Sequence, residues 1–147
     1  MVSKKGIPER FPPNAVRICI DNYRNYDIQG RIYSKFRKDS LVFCSVGEMF
    51  LKVDDMFDEN GFPQTFQERR YFDENRKEKR RAVPVVFEND DMILRQKGGM
   101  KTYDIVINSR RKSNWQGIIR KENGIEDVLF RSEMELLNFI WDDISKK

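Results

Sequence analysis

Residues 28–32, Ile-Gln-Gly-Arg-Ile, recur 87 positions later as residues 115–119, Trp-Gln-Gly-Ile-Ile. The likeness extends outward without a gap: when residues 15–60 are laid on residues 102–147, ten of the 46 aligned pairs are identical. Random pairing would give roughly three identities, so we expect a unit that occurs twice in the chain. This repeat is informative about architecture and says little about activity.

Each copy has the pattern of three strands followed by a helix. Apolar and polar residues alternate through 16–20 and again through 103–107, which is typical of a half-buried strand. The second strand of each copy carries the recurring Gln-Gly. We interpret that glycine as a bulge or a place of close packing rather than as a recognition feature. The third strands are the short apolar stretches 41–43 and 128–130.

The helix start is the clearest local signal in both copies. Ser45 and Ser132 each begin an S-x-x-E sequence, which is typical of a capping box. In this motif the Ser hydroxyl accepts from the third helical N–H, and we expect the Glu carboxylate to accept from the N–H of the cap residue itself. Apolar residues follow at helical spacing. Gly61 stands where the first helix is expected to end.

These patterns predict an α+β protein built from two tandem βββα repeats, packed pseudo-symmetrically so that each covers apolar surface of the other. The predicted organisation is a flexible basic tail at 1–14, repeat 1 at 15–62, a connector at 63–101 and repeat 2 at 102–147. Within the connector we expect an edge strand over 65–72 and a mobile charged run over 73–81.

The net charge of +4 is unevenly distributed. The tail carries +2 and the connector +3, whereas the first repeat carries −1 and the second is neutral. The basic excess therefore lies outside the repeats.

The sheet face opposite the helices is unusually apolar for a surface exposed to water. In the second repeat it would present Val106, Ile118 and Leu129 on adjacent strands. We expect this face to be covered by the other repeat, by the connector or by a partner chain. Trp115 aligns with Ile28, which favours a core position for the tryptophan over a binding role.

The chain lacks the residues of the common catalytic and metal sites. It contains no His, which excludes Ser–His and Cys–His nucleophile pairs. Cys19 and Cys44 lack metal-ligand spacing, and we expect two buried or half-buried free thiols, with a disulfide between them as the alternative. We predict no catalytic, cofactor-binding or metal-binding residues and no cofactor, and we expect the protein not to be an enzyme.

Neither a membrane span nor an export signal is predicted. No apolar run approaches the roughly 18 residues that a spanning helix needs. Met1-Val2-Ser3-Lys4-Lys5 is not followed by an apolar segment. We expect a cytoplasmic protein with no membrane partner.

The second repeat resembles a class of DNA-binding units. Its tryptophan-bearing strand 115–119, the strand ending in Phe130, the Ser132 cap and Glu135 are similar to the three-strand-plus-helix units of the AP2 type and of integrase arm-binding domains. Those families read the major groove with the exposed sheet face. The resemblance implies that Gln116, Arg120 and Arg131, and Gln29, Arg31 and Tyr33 in the first copy, would be the readers. The repeats depart from this pattern because they have no net positive charge.

The whole chain also resembles a group of small uncharacterised bacterial proteins with a duplicated unit. The shared motifs are Gly30-Arg31-Ile32-Tyr33, Phe62-Pro63-Gln64, Trp115-Gln116-Gly117, Phe130-Arg131-Ser132 and Glu135-Leu136. This resemblance implies no particular function.

Two functions are compatible with these features. The first is a non-enzymatic protein-interaction or regulatory module that binds another protein or itself; the second is a nucleic-acid (DNA) binding protein that uses the sheet faces and the basic connector. The candidate interaction face comprises Gln29, Arg31, Tyr33, Gln116, Ile118, Arg120 and Arg131. The candidate phosphate contacts are Arg76, Lys77, Lys79, Arg80 and Arg81.

Overall fold

A computed structural model describes residues 11–61, 86–110, 114–121 and 127–146 of the chain. The structure is α+β, with a six-stranded antiparallel sheet and three helices in the described ranges. In chain order the elements are β1 (Ala15–Arg24), β2 (Asp27–Ser34), β3 (Leu41–Phe43), α1 (Val46–Asn60), α2 (Asp90–Leu94), β4 (Lys101–Ser109), β5 (Gln116–Lys121), β6 (Val128–Phe130) and α3 (Glu133–Lys146). The strands lie in the order β3-β2-β1-β4-β5-β6.

The strand register is the same on the two sides of the sheet. Ile18 lies opposite Ile32 in the β1–β2 pair, and Ile105 lies opposite Ile119 in the β4–β5 pair, each residue 87 positions later. Each pair also has one register shift, between residues 20 and 22 in β1 and between 107 and 109 in β4. The β1–β4 pair joins the two sides, with Arg17 directly opposite Asp104.

Helices α1 and α3 pack on one face of this sheet and bury the main core. Alternate strand residues such as Ile18 and Ile105 meet helix residues such as Val53 and Ile140, all 1% exposed or less. The expected apolar stripes of the strands and helices are therefore the ones that pack together.

The predicted capping boxes form in both helices. The Ser45 hydroxyl accepts from the Glu48 backbone N–H at 3.1 Å, and the Ser132 hydroxyl accepts from the Glu135 N–H at 3.2 Å. One detail of the prediction is wrong: the Glu48 carboxylate accepts from the N–H of Cys44, the residue before the cap, at 2.6 Å. Helix α1 ends at Gly61, whose φ of 63° is the left-handed conformation that glycine adopts without strain.

The recurring strand glycines are explained by close backbone approach. A Cβ atom at Gly30 would lie 1.9 Å from the Cys19 carbonyl oxygen, and one at Gly117 would lie 1.8 Å from the Val106 carbonyl oxygen. Only glycine fits at either position without a shift of the neighbouring strand.

The first set of strands, β1 to β3, and the second set, β4 to β6, do not cover each other's apolar surface, contrary to the expectation. They lie side by side in one sheet, because β1 and β4 pair edge to edge. Both sets therefore present their second face in the same direction. We call this surface, opposite α1 and α3, the open face.

Parts of the predicted tail and connector fall outside the described residues. Residues 1–10, the edge strand expected over 65–72 and the charged run expected over 73–81 all do so. Residues 11–14 of the predicted flexible tail are packed: Phe11 is 4% exposed, and Asn14 exchanges hydrogen bonds with the backbone of Ile107.

Candidate functional site

Residues 86–97, which we call the cover segment, lie on the open face over the first set of strands. This segment contains α2, and its Ile93 is buried against Cys19 and Tyr33 of the sheet. Phe11 and Ala15 complete this second apolar cluster. Of the three sources of cover predicted for the open face, the connector provides the one observed here.

Arg17 holds the cover segment to the centre of the sheet. Its guanidinium forms a bidentate ion pair with Asp104, with distances of 2.7 and 2.8 Å to the two carboxylate oxygens. The same group donates to the carbonyl oxygens of Ile93, Leu94 and Gln96 at 3.0 to 3.3 Å. These carbonyls lie at and beyond the end of α2, where helical carbonyls lack partners within the helix, so the arginine supplies donors to Leu94 and Gln96. The Ile93 carbonyl oxygen also accepts from the Gln96 backbone N–H at 3.1 Å.

Two of the predicted interaction residues are used in holding the cover segment. Arg31 pairs with Asp21 at 2.9 Å and donates to the Lys97 carbonyl oxygen at 2.8 Å. The Arg31 hydrogen bond holds the pKa of Asp21 below its usual range. Tyr33 is buried, accepts from Arg31 at 2.8 Å and donates to the Gln96 side chain at 3.2 Å. These side chains are therefore engaged within the protein.

The cover segment is also fixed at its N-terminal end. Asp90 accepts from the Phe11 backbone N–H at 2.8 Å and forms an ion pair with Lys35. The hydrogen bond from Lys35 holds the pKa of Asp90 below its usual range. Asn89 donates to the Arg37 carbonyl oxygen at 3.0 Å. The N-terminal end of the segment is thus bonded to residues that flank β1 and β2, and its C-terminal end to side chains on these two strands.

The open face of the second set of strands is less covered. There an apolar row crosses four strands in direct register: Ala15 lies opposite Val106, Val106 opposite Ile118, and Ile118 opposite Leu129. Burial falls along the row, from 1% exposure at Ala15 to 75% at Leu129. We call these four residues the apolar row.

A groove of about 300 Å³ lies between the apolar row and the edge of the cover segment. Its walls are apolar on the side of Phe11, Pro12 and Leu94, and its floor includes Val106 and Ile118. Arg120 and Asp127 lie at its other side. The groove is large enough for one or two apolar side chains, and its charged lining residues are Asp104, Arg120 and Asp127.

The charges beside the groove are largely balanced. Arg120 and Asp127 form a bidentate ion pair, with distances of 2.6 and 3.1 Å from the guanidinium nitrogens to the two carboxylate oxygens. The hydrogen bond from Arg120 holds the pKa of Asp127 below its usual range. Arg131 is exposed, with no side-chain partner among the described residues. Gln116 is half-buried on β5, and Gln29 is exposed on β2.

The structure thus divides the candidate interaction face into two parts. Gln116, Ile118 and Arg120 lie on β5, and Arg131 follows β6. Arg31 and Tyr33 lie on the far side of the cover segment and are tied to it. The five candidate phosphate contacts, Arg76, Lys77, Lys79, Arg80 and Arg81, lie outside the described residues.

A buried Tyr–Asp pair lies on the helix side of the sheet. The Tyr103 hydroxyl donates to Asp143 at 2.7 Å, and Lys121 donates to the same carboxylate at 3.2 Å. Burial opposes ionisation of Asp143, but the bonds from Tyr103 and Lys121 and the charge of Lys101 hold the pKa of Asp143 below its usual range. Burial, with the bond to Asp143, raises the pKa of Tyr103, so its hydroxyl stays protonated as a structural donor.

Trp115 is a core residue, as its alignment with Ile28 favours. It is 1% exposed, and its indole N–H donates to Asp54 of α1 at 2.8 Å. Arg110 also contacts Asp54, at 3.2 Å, and pairs with Asp58 at 2.9 Å. This cluster connects α1 to the second set of strands, so its role is to join the two sides of the protein.

The two cysteines differ in environment and are not bonded to each other. Cys19 is buried, and burial raises its pKa to about 11. Cys44 is exposed, contrary to the expectation of two buried or half-buried thiols. Within the described ranges, no group of three or more His, Cys, Asp or Glu residues is arranged to hold a metal ion.

Comparison with protein-family models, with curated proteins and with solved structures finds no match to this chain. Among the described residues, no helix is long and apolar enough to cross a membrane.

Sequence reasoning missed several residues that line the groove, among them Phe11, Leu94 and Asp127. Phe11 was assigned to a flexible tail, and Leu94 to a connector of unknown position. Asp127 was overlooked, although its charge precedes an apolar triplet that Arg131 follows. This apolar triplet between two opposite charges, in residues 127–131, is a signal that identifies the strand edge from the sequence.

Proposed function

We propose that this protein is a non-enzymatic, cytoplasmic protein-interaction module built from a duplicated βββα unit. Identical strand registers 87 residues apart support the duplication. The bulges at equivalent positions in β1 and β4 support it as well. Residues 15–62 and 102–147 are then the two copies, packed pseudo-symmetrically about the Arg17–Asp104 pair.

The contact surface in this proposal is the apolar row with its groove. The single observation that carries it is the in-register row of four apolar residues, which begins at the buried Ala15 and ends in a leucine 75% exposed. The equivalent row in the first copy carries Arg31 and lies beside the cover segment, so the two copies have diverged at this surface. Contiguous exposed apolar surface of this kind marks interaction sites.

The chemistry of the groove favours a protein partner that inserts an apolar side chain from a segment of balanced charge. The groove holds about 300 Å³ and its lining is mostly apolar, while the charged residues that line it, Asp104, Arg120 and Asp127, are each paired within the protein. The Arg120–Asp127 pair at its side is neutral as a unit. A nucleic acid instead needs several unpaired cations along a surface. Arg17, Arg31 and Arg120 are each paired with a carboxylate, which leaves Arg131 as the candidate reader arginine without a side-chain partner among the described residues.

The test is affinity capture from a lysate of the source organism with three baits: the parent protein, Ile118→Lys and Val42→Lys. Val42 is a matched control because it is 57% exposed on the opposite edge strand β3. We expect a protein partner whose capture persists after nuclease treatment. The parent and Val42→Lys baits should both retain this partner, and the Ile118→Lys bait should not. Equal retention by all three baits would overturn the proposal, and so would loss of every parent-bound protein after nuclease treatment.

A further inference from the structure

The edge strand β6 has a charge pattern that is complementary to itself. The sequence from 127 to 131 is Asp-Val-Leu-Phe-Arg. When two such strands pair antiparallel about their central Leu129, Asp127 of one copy lies opposite Arg131 of the other, and the reverse pair forms at the other end. Opposite charges in directly facing positions stabilise a strand pair, and like charges destabilise it.

Asp127 and Leu129 lie on one face of the strand. Phe130 is buried in the core and Val128 packs against it, so Leu129 faces the other way, onto the open face. Asp127 lies on that face as well, because it pairs with Arg120. Arg131 directly follows the strand and is exposed, so that Asp127 and Arg131 flank Leu129 at equal distances along the chain.

The two edges of the sheet differ in how they are protected. At β3, Lys52 of α1 donates to the Val42 carbonyl oxygen at 2.6 Å, and a lysine at an edge discourages pairing with another strand. The position 87 residues after Lys52 is Phe139, whose ring lies 6.4 Å from that of Tyr103. Among the described residues, no side chain hydrogen-bonds the Leu129 carbonyl oxygen, and β6 is the less protected edge.

We infer that β6 pairs antiparallel with β6 of a second copy, which joins two six-stranded sheets into one sheet of twelve strands. This inference rests on the proposed function and names one partner of the proposed surface. Leu129 meets its counterpart at the two-fold axis, flanked on either side by an Asp127–Arg131 pair. The apolar rows of the two copies then form one continuous row with a groove at each end.

The interface is small, because β6 contributes only three residues and two flanking charges. Such contacts form weak or transient complexes, and we expect a dissociation constant on the order of tens of micromolar. β3 carries no corresponding pair, since residues 40 and 44 that flank it are Ser and Cys. Pairing through β6 is therefore expected to stop at a dimer.

The test is sedimentation velocity of the full chain over roughly 5 to 200 µM, with the parent, Asp127→Arg and Arg131→Asp. In either variant alone, both facing pairs become like-charged, and we expect at least about tenfold weaker association. An equimolar mixture of the two variants restores both opposite pairs in the heterodimer, and its association should return to within about threefold of the parent.

Two controls separate this effect from misfolding and from net charge. Circular dichroism and urea unfolding of each variant establish that it is folded, and the mixture rescues association only when both are. Arg24→Asp makes the same charge change as Arg131→Asp at an exposed position at the end of β1, and it should associate like the parent.

Three results would overturn the inference: a parent that stays monomeric at 200 µM, an Arg131→Asp variant that associates like the parent, or a mixture that stays monomeric. A monomeric parent that still captures an Ile118-dependent protein partner would remove only the self-pairing. A dimer of the expected charge dependence, with no Ile118-dependent partner, would instead remove the groove from the proposed function.

Discussion

Replacing Arg17 by Met should destabilise the protein by about 3 kcal/mol, because it removes one partner of a buried ion pair. The side chains of Arg17 and Asp104 are 9% and 23% exposed, so the unpaired Asp104 carboxylate would regain only part of its hydration. The substitution also removes the Arg17 donor from the carbonyl oxygens of Leu94 and Gln96, and one of the donors from that of Ile93, which still accepts from the Gln96 backbone N–H. For a domain of this size, with a urea m-value of about 2 kcal/mol/M, the unfolding midpoint should fall by about 1.5 M.

The assay is urea unfolding followed by tryptophan fluorescence and circular dichroism, with the double variant Arg17→Met/Asp104→Leu as the matched control. Replacing both charges by apolar groups removes the unpaired Asp104 carboxylate, so the double variant should recover more than half of the stability that the single variant loses. Amide exchange in residues 88–97 should be faster in both variants, since neither restores the donor to the carbonyls. A single variant within about 0.5 kcal/mol of the parent would refute the reasoning, and so would a double variant no more stable than the single one.

Three further predictions concern the core, a buried carboxylate and the thiols. Gly117→Ala should cost about 3 kcal/mol or more in urea unfolding, because its Cβ would overlap a carbonyl oxygen of β4; a loss below about 1 kcal/mol would contradict the close approach. Asp143→Asn should lower stability at pH 7 by about 1–3 kcal/mol. Because the pKa of Asp143 is lowered in the folded state, the stabilisation from its carboxylate is complete above the ordinary pKa near 4. This stabilisation is lost as the pH falls through the lowered pKa, so the unfolding curves of the parent and the variant should converge in acid. A maleimide should label Cys44 quickly and Cys19 only on unfolding, because Cys19 is buried with a pKa raised to about 11; equal labelling rates measured by mass spectrometry would contradict this burial.

Local signals in the sequence predicted the elements of the fold well. The alternation in 16–20 and 103–107 predicted two strands that are present, and the S-x-x-E sequences at Ser45 and Ser132 predicted two helix starts that are present. These signals work because the physical cause, a buried face or an unsatisfied N–H group, lies within a few residues of its sequence mark.

The relation between the two sides could not be predicted in the same way. Packing face to face and pairing edge to edge both bury apolar residues, and strand alternation does not distinguish them. One long-range mark was present: Arg17 and Asp104 occupy aligned positions and carry opposite charges. When two similar strands pair antiparallel about a two-fold axis, the residue at the axis lies opposite the residue aligned with it in the other strand. Opposite charges at the aligned positions 17 and 104 therefore favour pairing of β1 with β4.

The candidate site was predicted in part. The patch of Val106, Ile118 and Leu129 followed from alternation, and the structure places these side chains in one row. The roles of Arg31 and Tyr33 were not predictable, because they depend on the position of the cover segment. That segment has a helix of only five residues, which is too short to show a helical period.

The central claim, that the open face of the second set of strands binds protein, is tested most directly by site-specific photocrosslinking. A photoreactive benzoylphenylalanine is placed at Leu129 or, as the matched control, at Val42, and the full chain is irradiated in lysate of the source organism before and after nuclease treatment. We expect nuclease-resistant protein adducts, either with a second copy or with another protein, at position 129 and few at position 42. Equal adducts at both positions, or adducts at 129 that disappear with nuclease, would contradict it.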